Sequence, residues 1–136
     1  MNKEIMIFQY DYENDILFFH SEKNYEYGFS EPLDESVIID FNKNKFPIGL
    51  EVLDVSKLLK VKKYILKNLK EGDLFIRINK KEIMVNLILS MEIHNKTSQM
   101  IPVSVNGENI LEIPSLKTEM SLALSWFLIS CLSSDF

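Results

Sequence analysis

The first fifty positions carry apolar residues in short runs broken by turn formers, a period that predicts strands. Glu4–Tyr10 and Asp15–Ser21 are apolar on both faces: Ile5, Ile7, Ile16 and Phe18 oppose Met6, Phe8, Leu17 and Phe19, as in strands covered on both sides. The polar loop Asp11-Tyr12-Glu13-Asn14 separates them. Tyr25, Tyr27 and Phe29 alternate with Glu26, Gly28 and Ser30 in a half-buried strand that Pro32 ends. Ser36–Phe41 and Phe46–Leu53 read as a hairpin around Asn42-Lys43-Asn44-Lys45. The front part is therefore expected to be a five-stranded meander.

At residue 54 the period changes. Val55, Leu58, Leu59, Val61, Ile65, Leu66 and Leu69 fall on one helical face, with Lys57, Lys60, Lys63, Lys67 and Lys70 on the other. Asp54 or Ser56 supplies a capping oxygen and Gly72 a stop, which predicts one amphipathic helix over 54–71. Period two then returns over 73–124. Leu74, Ile76 and Ile78 alternate with Phe75 and Arg77, and Ile83, Val85, Leu87, Leu89, Met91 and Ile93 share one face of a long strand. Ile101, Val103 and Val105 continue, Pro102 pushes their strand to an edge or bulge, and Asn106-Gly107 predicts a tight turn into Asn109–Ile113. Strand is preferred to helix for 116–124, and 125–136 is left undecided. The expected fold is a single α+β domain over 1–136: an antiparallel meander, one central helix, and a second antiparallel half sharing the core.

Composition agrees with an ordinary globular chain. At 136 residues, 46% of them hydrophobic, it can bury roughly two thirds of its unfolded surface without a disulfide or structural metal. The lone Cys131 has no intramolecular partner, so a reducing, cytoplasmic home is expected. Met1–Tyr10 lacks the uninterrupted apolar core of a secretory signal, and Leu122–Leu132 is about half the length of the roughly 20 residues a membrane helix needs. Asn95-Lys96-Thr97 reads as a turn. Charge is segregated: net −8 over 1–56, +7 over 57–81 and −4 over 82–136.

Three segments carry a resemblance. Tyr10-Asp11 with Glu13, Asp15 and Leu17, then Val37-Ile38-Ile39-Asp40-Phe41, then Ile48-Gly49-Leu50-Glu51-Val52-Leu53-Asp54 with Ser56, together resemble domain-of-unknown-function family 2283 over residues 8–56. The resemblance implies a small β-meander followed by a helix. An association of some such proteins with neighbouring toxin genes implies an antitoxin-like role, with a toxin encoded nearby as partner. The sequence departs from the family's pattern at Phe18-Phe19, where a polar or basic residue is expected, and at the glycine-free turn Asn42–Lys45.

Candidate chemistry is sparse. Asp11, Glu13, Asp15 and Glu22 mimic calcium-loop spacing, but Ile16 stands where the glycine turn belongs. Asp40, Glu51 and Asp54, converging with Asp11 or Asp15, would hold magnesium or manganese, or drive one carboxyl pKa upward for acid–base work. His20 and His94 are candidate bases outside any nucleophile motif, and four glycines form neither a P-loop nor a dinucleotide fingerprint. The lysine face, with Tyr64 beside it, suits phosphates or an acidic protein. A pI of about 5.1 and a single arginine, Arg77, disfavour nucleic acid. Trp126 and Phe127 lie in an apolar run that packs on its own sheet or a neighbouring subunit.

The expectation is a soluble, cofactor-free interaction or oligomerisation module. Its contact candidates are Lys57, Lys60, Lys63, Lys67, Lys70, Trp126 and Phe127, and it forms a homo-oligomer with no membrane partner. The alternative is a divalent-metal-dependent hydrolase using Asp11, Asp15, Asp40, Glu51 and Asp54.

Overall fold

Strand pairing dominates the chain to a degree the helical period of its middle segment conceals. The computed structural model describes residues 4–23, 25–93 and 96–124. In chain order they form β1 (Glu4–Asp11), β2 (Ile16–Ser21), β3 (Tyr27–Pro32), β4 (Val37–Asn42), β5 (Pro47–Val52), α1 (Val55–Leu59), α2 (Lys63–Leu66), β6 (Leu69–Ile78), β7 (Glu82–Ile93), β8 (Lys96–Glu108) and β9 (Leu116–Leu124). All nine strands belong to one sheet in the order β3-β4-β5-β2-β1-β9-β6-β7-β8. Every pairing is antiparallel except β1 with β9, whose parallel ladder joins the front and back halves.

The five front strands lie within one or two residues of their expected bounds, but they do not form a five-stranded meander: β2 pairs with β5 rather than with β3, so the hairpin β1–β2 joins the β3-β4-β5 meander along β5. Their inward row runs straight across four strands, Phe8 opposite Phe19, Phe19 opposite Leu50, Leu50 opposite Ile39. The back half has an equivalent row, Met120, Leu74, Leu87 and Val103. Side chains from both rows and from Val55 and Leu66 form one buried cluster, with half-buried Val103 packed against its margin. Phe29 closes its front edge by stacking on Phe41 at 5.1 Å between ring centroids. Ile7 points away from that cluster yet is itself buried, while Ile5, Ile16 and Phe18 on the outward face are half-buried.

The sheet curls until its two ends meet. Just beyond β3, the Leu33 carbonyl lies so close to Gly107 near the end of β8 that a Cβ there would sit inside van der Waals contact of the oxygen. Gly107 is therefore a close-approach glycine. The predicted turn at Asn106-Gly107 is incorrect: both residues stay in β8, and the chain reverses at 109–113 instead. Buried Asn109 holds that reversal. Its Nδ2 donates to the carbonyls of Asn79 and Ile113, each at 2.9 Å, and its Oδ1 accepts the Ile113 N–H at 2.8 Å. A similar device replaces glycine in the β4–β5 turn, where Asn42 Oδ1 accepts the N–H groups of Asn44 and Phe46.

The α+β class with a central amphipathic helix over 54–71 is overturned. Two helices of five and four residues stand there, separated by Lys60 in the left-handed region at φ 58° and extended Lys62. Beyond them, Leu69–Ile78 is a strand paired on both sides, with β7 and with β9. The apolar spacing from Val55 to Leu69 satisfies two single turns as well as one long helix. The two ladders offered to 69–78 outweigh helical preference, which is a weak local bias. Gly72 does not stop a helix; it lies within β6, where a Cβ would collide with the Ile88 carbonyl. Residues 116–124 form the expected strand, and the β8 strand carrying Pro102 is an edge, as the proline implied. Among the described residues no helix is long and apolar enough to cross a membrane.

Candidate functional site

At the end of the front half where β1 turns into β2, the chain passes through Asp15 with φ 56°, a backbone state that Asp tolerates better than most residues. This places its carboxylate, 5% exposed, under the start of α1. The Tyr10 hydroxyl donates to Oδ1 at 2.7 Å, the Ser56 hydroxyl to Oδ2 at 2.6 Å, and the Ser56 N–H to both oxygens at 3.1 and 3.3 Å. The Asp15 carbonyl accepts the Val55 N–H at 3.1 Å. A carboxylate from 41 positions upstream thus caps a five-residue helix that could not persist alone. Asp54 occupies the N-cap position at φ 48°, but its side chain makes no capping bond.

The electrostatics follow from these contacts. Burial by itself would raise the Asp15 carboxyl; the Ser56 and Tyr10 hydroxyls and the Ser56 N–H outweigh it, Lys63 adds attraction, and the group sits below the ordinary aspartate range. Burial, then the bond to Asp15, pushes the Tyr10 phenol well above its usual value. The pair is a charge-stabilising clamp with its proton fixed on tyrosine, the reverse of what an acid–base group near neutrality requires.

Around the clamp the loop is tied to the lysine segment. The Asn14 side chain and backbone donate to Asp11 and hold its carboxyl low. Lys63 Nζ donates to the Tyr12 carbonyl at 3.2 Å, and the ammonium groups of Lys67 and Lys63 lie 4.1 and 5.5 Å from the Tyr12 ring centre. Lys57 and Lys60 are exposed, and Lys70 pairs with Glu92 at 2.5 Å. The two short helices and the start of β6 thus divide the five lysines expected on one helical face: three carry defined contacts, two face water. Trp126, Phe127, Cys131 and His94 lie outside the described residues.

The candidate metal carboxylates do not converge. Asp15 is inside the clamp, Asp11 binds Asn14, and Asp54 is exposed at the helix start. Asp40 and Glu51 occupy the outward face of β4 and β5, where Asp40 accepts the Ser30 hydroxyl at 2.5 Å; burial and then the Asp40 charge raise the Glu51 carboxyl. Among the described residues no three His, Cys, Asp or Glu side chains lie close enough to share a metal ion. His20 is exposed, its Nδ1 3.1 Å from the Ser21 carbonyl. Sequence reasoning missed Tyr10 and Tyr12 as site residues and treated Ser56 only as a cap. For Tyr10 and Ser56 the signal was the resemblance itself, whose motif residues include both together with Asp15; Tyr12 carried no such signal.

A family model described as protein of unknown function (DUF2283) matches residues 7–56, a span that runs from β1 to the serine bonded to Asp15. An uncharacterised protein of Methanocaldococcus jannaschii is 39% identical over 82 residues, covering 59% of this chain and 68% of that protein. A protein of Methanosarcina mazei, provisionally named a hypoxanthine phosphoribosyltransferase, is 31% identical over 118 residues, covering 84% of this chain and 92% of that protein. No solved structure gives a significant match.

Proposed function

Because the chain belongs to the DUF2283 family, whose description names no activity, we propose that it is a non-catalytic protein-interaction module that works by covering a partner's surface. The observation that carries this reading is the anchoring of the lysine segment by the Asp15 clamp and Tyr12, which presents exposed Lys57, Lys60 and Lys62 on a fixed support. Fixing the backbone that carries these lysines beforehand reduces the ordering cost of association. A toxin encoded nearby is the specific partner that an antitoxin-like role implies.

The name carried by the Methanosarcina relative would call for a backbone cradle for a phosphoribosyl group. Here all four glycines lie in strands with no positive φ, so that reading gains no support from them. The hydrolase reading lacks converging carboxylates among the described residues.

Co-expression with the products of adjacent genes tests the proposal. A partner that co-purifies with the wild type and is lost with Lys57→Glu/Lys62→Glu supports it. Absence of any partner, together with a rise in melting temperature of several degrees on adding magnesium, manganese or calcium, would replace it with the metal-enzyme reading.

A further inference from the structure

The end of the sheet that carries the clamp bears charges of both signs side by side. Three turns meet there: the Leu53 N–H donates to the Ser36 carbonyl at 2.7 Å, and the Val55 N–H to that of Asp15 at 3.1 Å. These bonds set the β3–β4 loop with Asp34 and Glu35, the β1–β2 loop with Glu13, and Asp54 beside the lysine segment. Asp34 is committed to the N–H groups of Ser36 and Val37. Glu13, Glu35, Asp54, Lys57, Lys60 and Lys62 are exposed, and among the described residues none of them forms an ion pair. Opposite charges share this end without neutralising one another. Tyr12, Leu58 and Tyr64, 44%, 37% and 57% exposed, lie in the same loop and helices.

Resting on the interaction reading above, we infer that this end is a self-complementary face whose partner is a second copy of the chain, paired about a two-fold axis. A two-fold contact presents the same patch twice, so a patch with an acidic half and a basic half lays each half on its opposite. The exposed aromatic and leucine side chains supply apolar area and the charges a polar rim, the usual anatomy of an interface. A uniformly acidic ligand, nucleic acid included, fits this face less well, because Glu13, Glu35 and Asp54 repel what the lysines attract.

Charge exchange tests the inference. Wild type in low salt should run at twice the chain mass by light scattering and dissociate as salt rises. Lys57→Glu/Lys62→Glu and Glu13→Lys/Glu35→Lys should each be monomeric, since each sets like charges together. An equimolar mixture of the two should return to twice the chain mass. Circular dichroism confirms that the variants fold; if they do not, the wild-type mass and its salt dependence decide alone. A wild type that is monomeric at every concentration reached, or variants that remain dimeric, overturns the two-fold pairing. Such a monomer leaves the interaction-module reading standing wherever an adjacent-gene partner still co-purifies, so the two failures are distinguishable.

Discussion

Asp15 and Ser56 stand 41 positions apart and meet through a 2.6 Å hydrogen bond that fastens the first β-turn to the first helix. The same carboxylate satisfies the Tyr10 hydroxyl and the Ser56 N–H, so its removal leaves three donors at a buried site without their acceptor. Asp15→Ala is expected to cost about 3 kcal/mol, and Ser56→Ala, which removes one donor cleanly, about 1 kcal/mol. The double variant should lie close to Asp15→Ala alone, because residues sharing one network are not additive. Urea denaturation checks all three values, and a loss under about 0.5 kcal/mol for Asp15→Ala would remove the clamp's structural role.

The clamp should also be visible as pH dependence. The folded Asp15 carboxyl lies below its unfolded value, so its contribution is complete above the ordinary aspartate pKa of about 3.9 and is lost as pH falls through the folded value. Asp15→Asn keeps the left-handed backbone state tolerable but carries no charge. The stability gap between wild type and Asp15→Asn should be constant near neutrality and close below about pH 4. Denaturation curves at a series of pH values measure it; a gap that widens on acidification has the wrong sign.

Gly107 and Leu33 mark where the curled sheet meets itself. A methyl group at position 107 must displace the Leu33 carbonyl or the end of β8. Overpacking of this kind costs about 2 kcal/mol, so Gly107→Ala should lower stability by that order. Hydrogen exchange should speed up at the end of β8 and around Leu33 before the central strands respond. Unchanged protection at both would show that the contact does not hold the ends together.

The strands were legible because sheet burial has a period of two, and Phe8, Phe19, Leu50 and Ile39 all obey it. The middle segment was not, since Val55, Leu59, Leu66 and Leu69 share a helical face whether the chain makes one helix or two turns and a strand. What decides between them is the pairing of β6 with β9, an element that begins 38 residues after β6 ends, and no local window contains it. The site was half legible for a similar reason. Asp15 read as a candidate metal carboxylate because its partner Ser56 sits in another element, and Asn106-Gly107 carried a turn signature while its glycine served a contact with Leu33.

Glu51 provides the opposite case from Asp15. On the outward face, burial and then the Asp40 charge raise its carboxyl above the ordinary glutamate value, so the folded state favours the protonated form. The stability this group contributes is complete below the unfolded pKa of about 4.3 and is lost as pH rises through the folded value. Near neutrality the ionised side chain is therefore a burden that Glu51→Gln removes while keeping the shape. The variant should be more stable than wild type above about pH 5, by about 0.5 kcal/mol, and should show no advantage below about pH 4. Asp40→Asn should produce a smaller gain of the same sign, since it removes only the second cause. Thermal melts of the three proteins from acid to neutral pH give the comparison, and a Glu51→Gln protein less stable than wild type at pH 7 would mean that the ionised carboxylate has a favourable partner on this face.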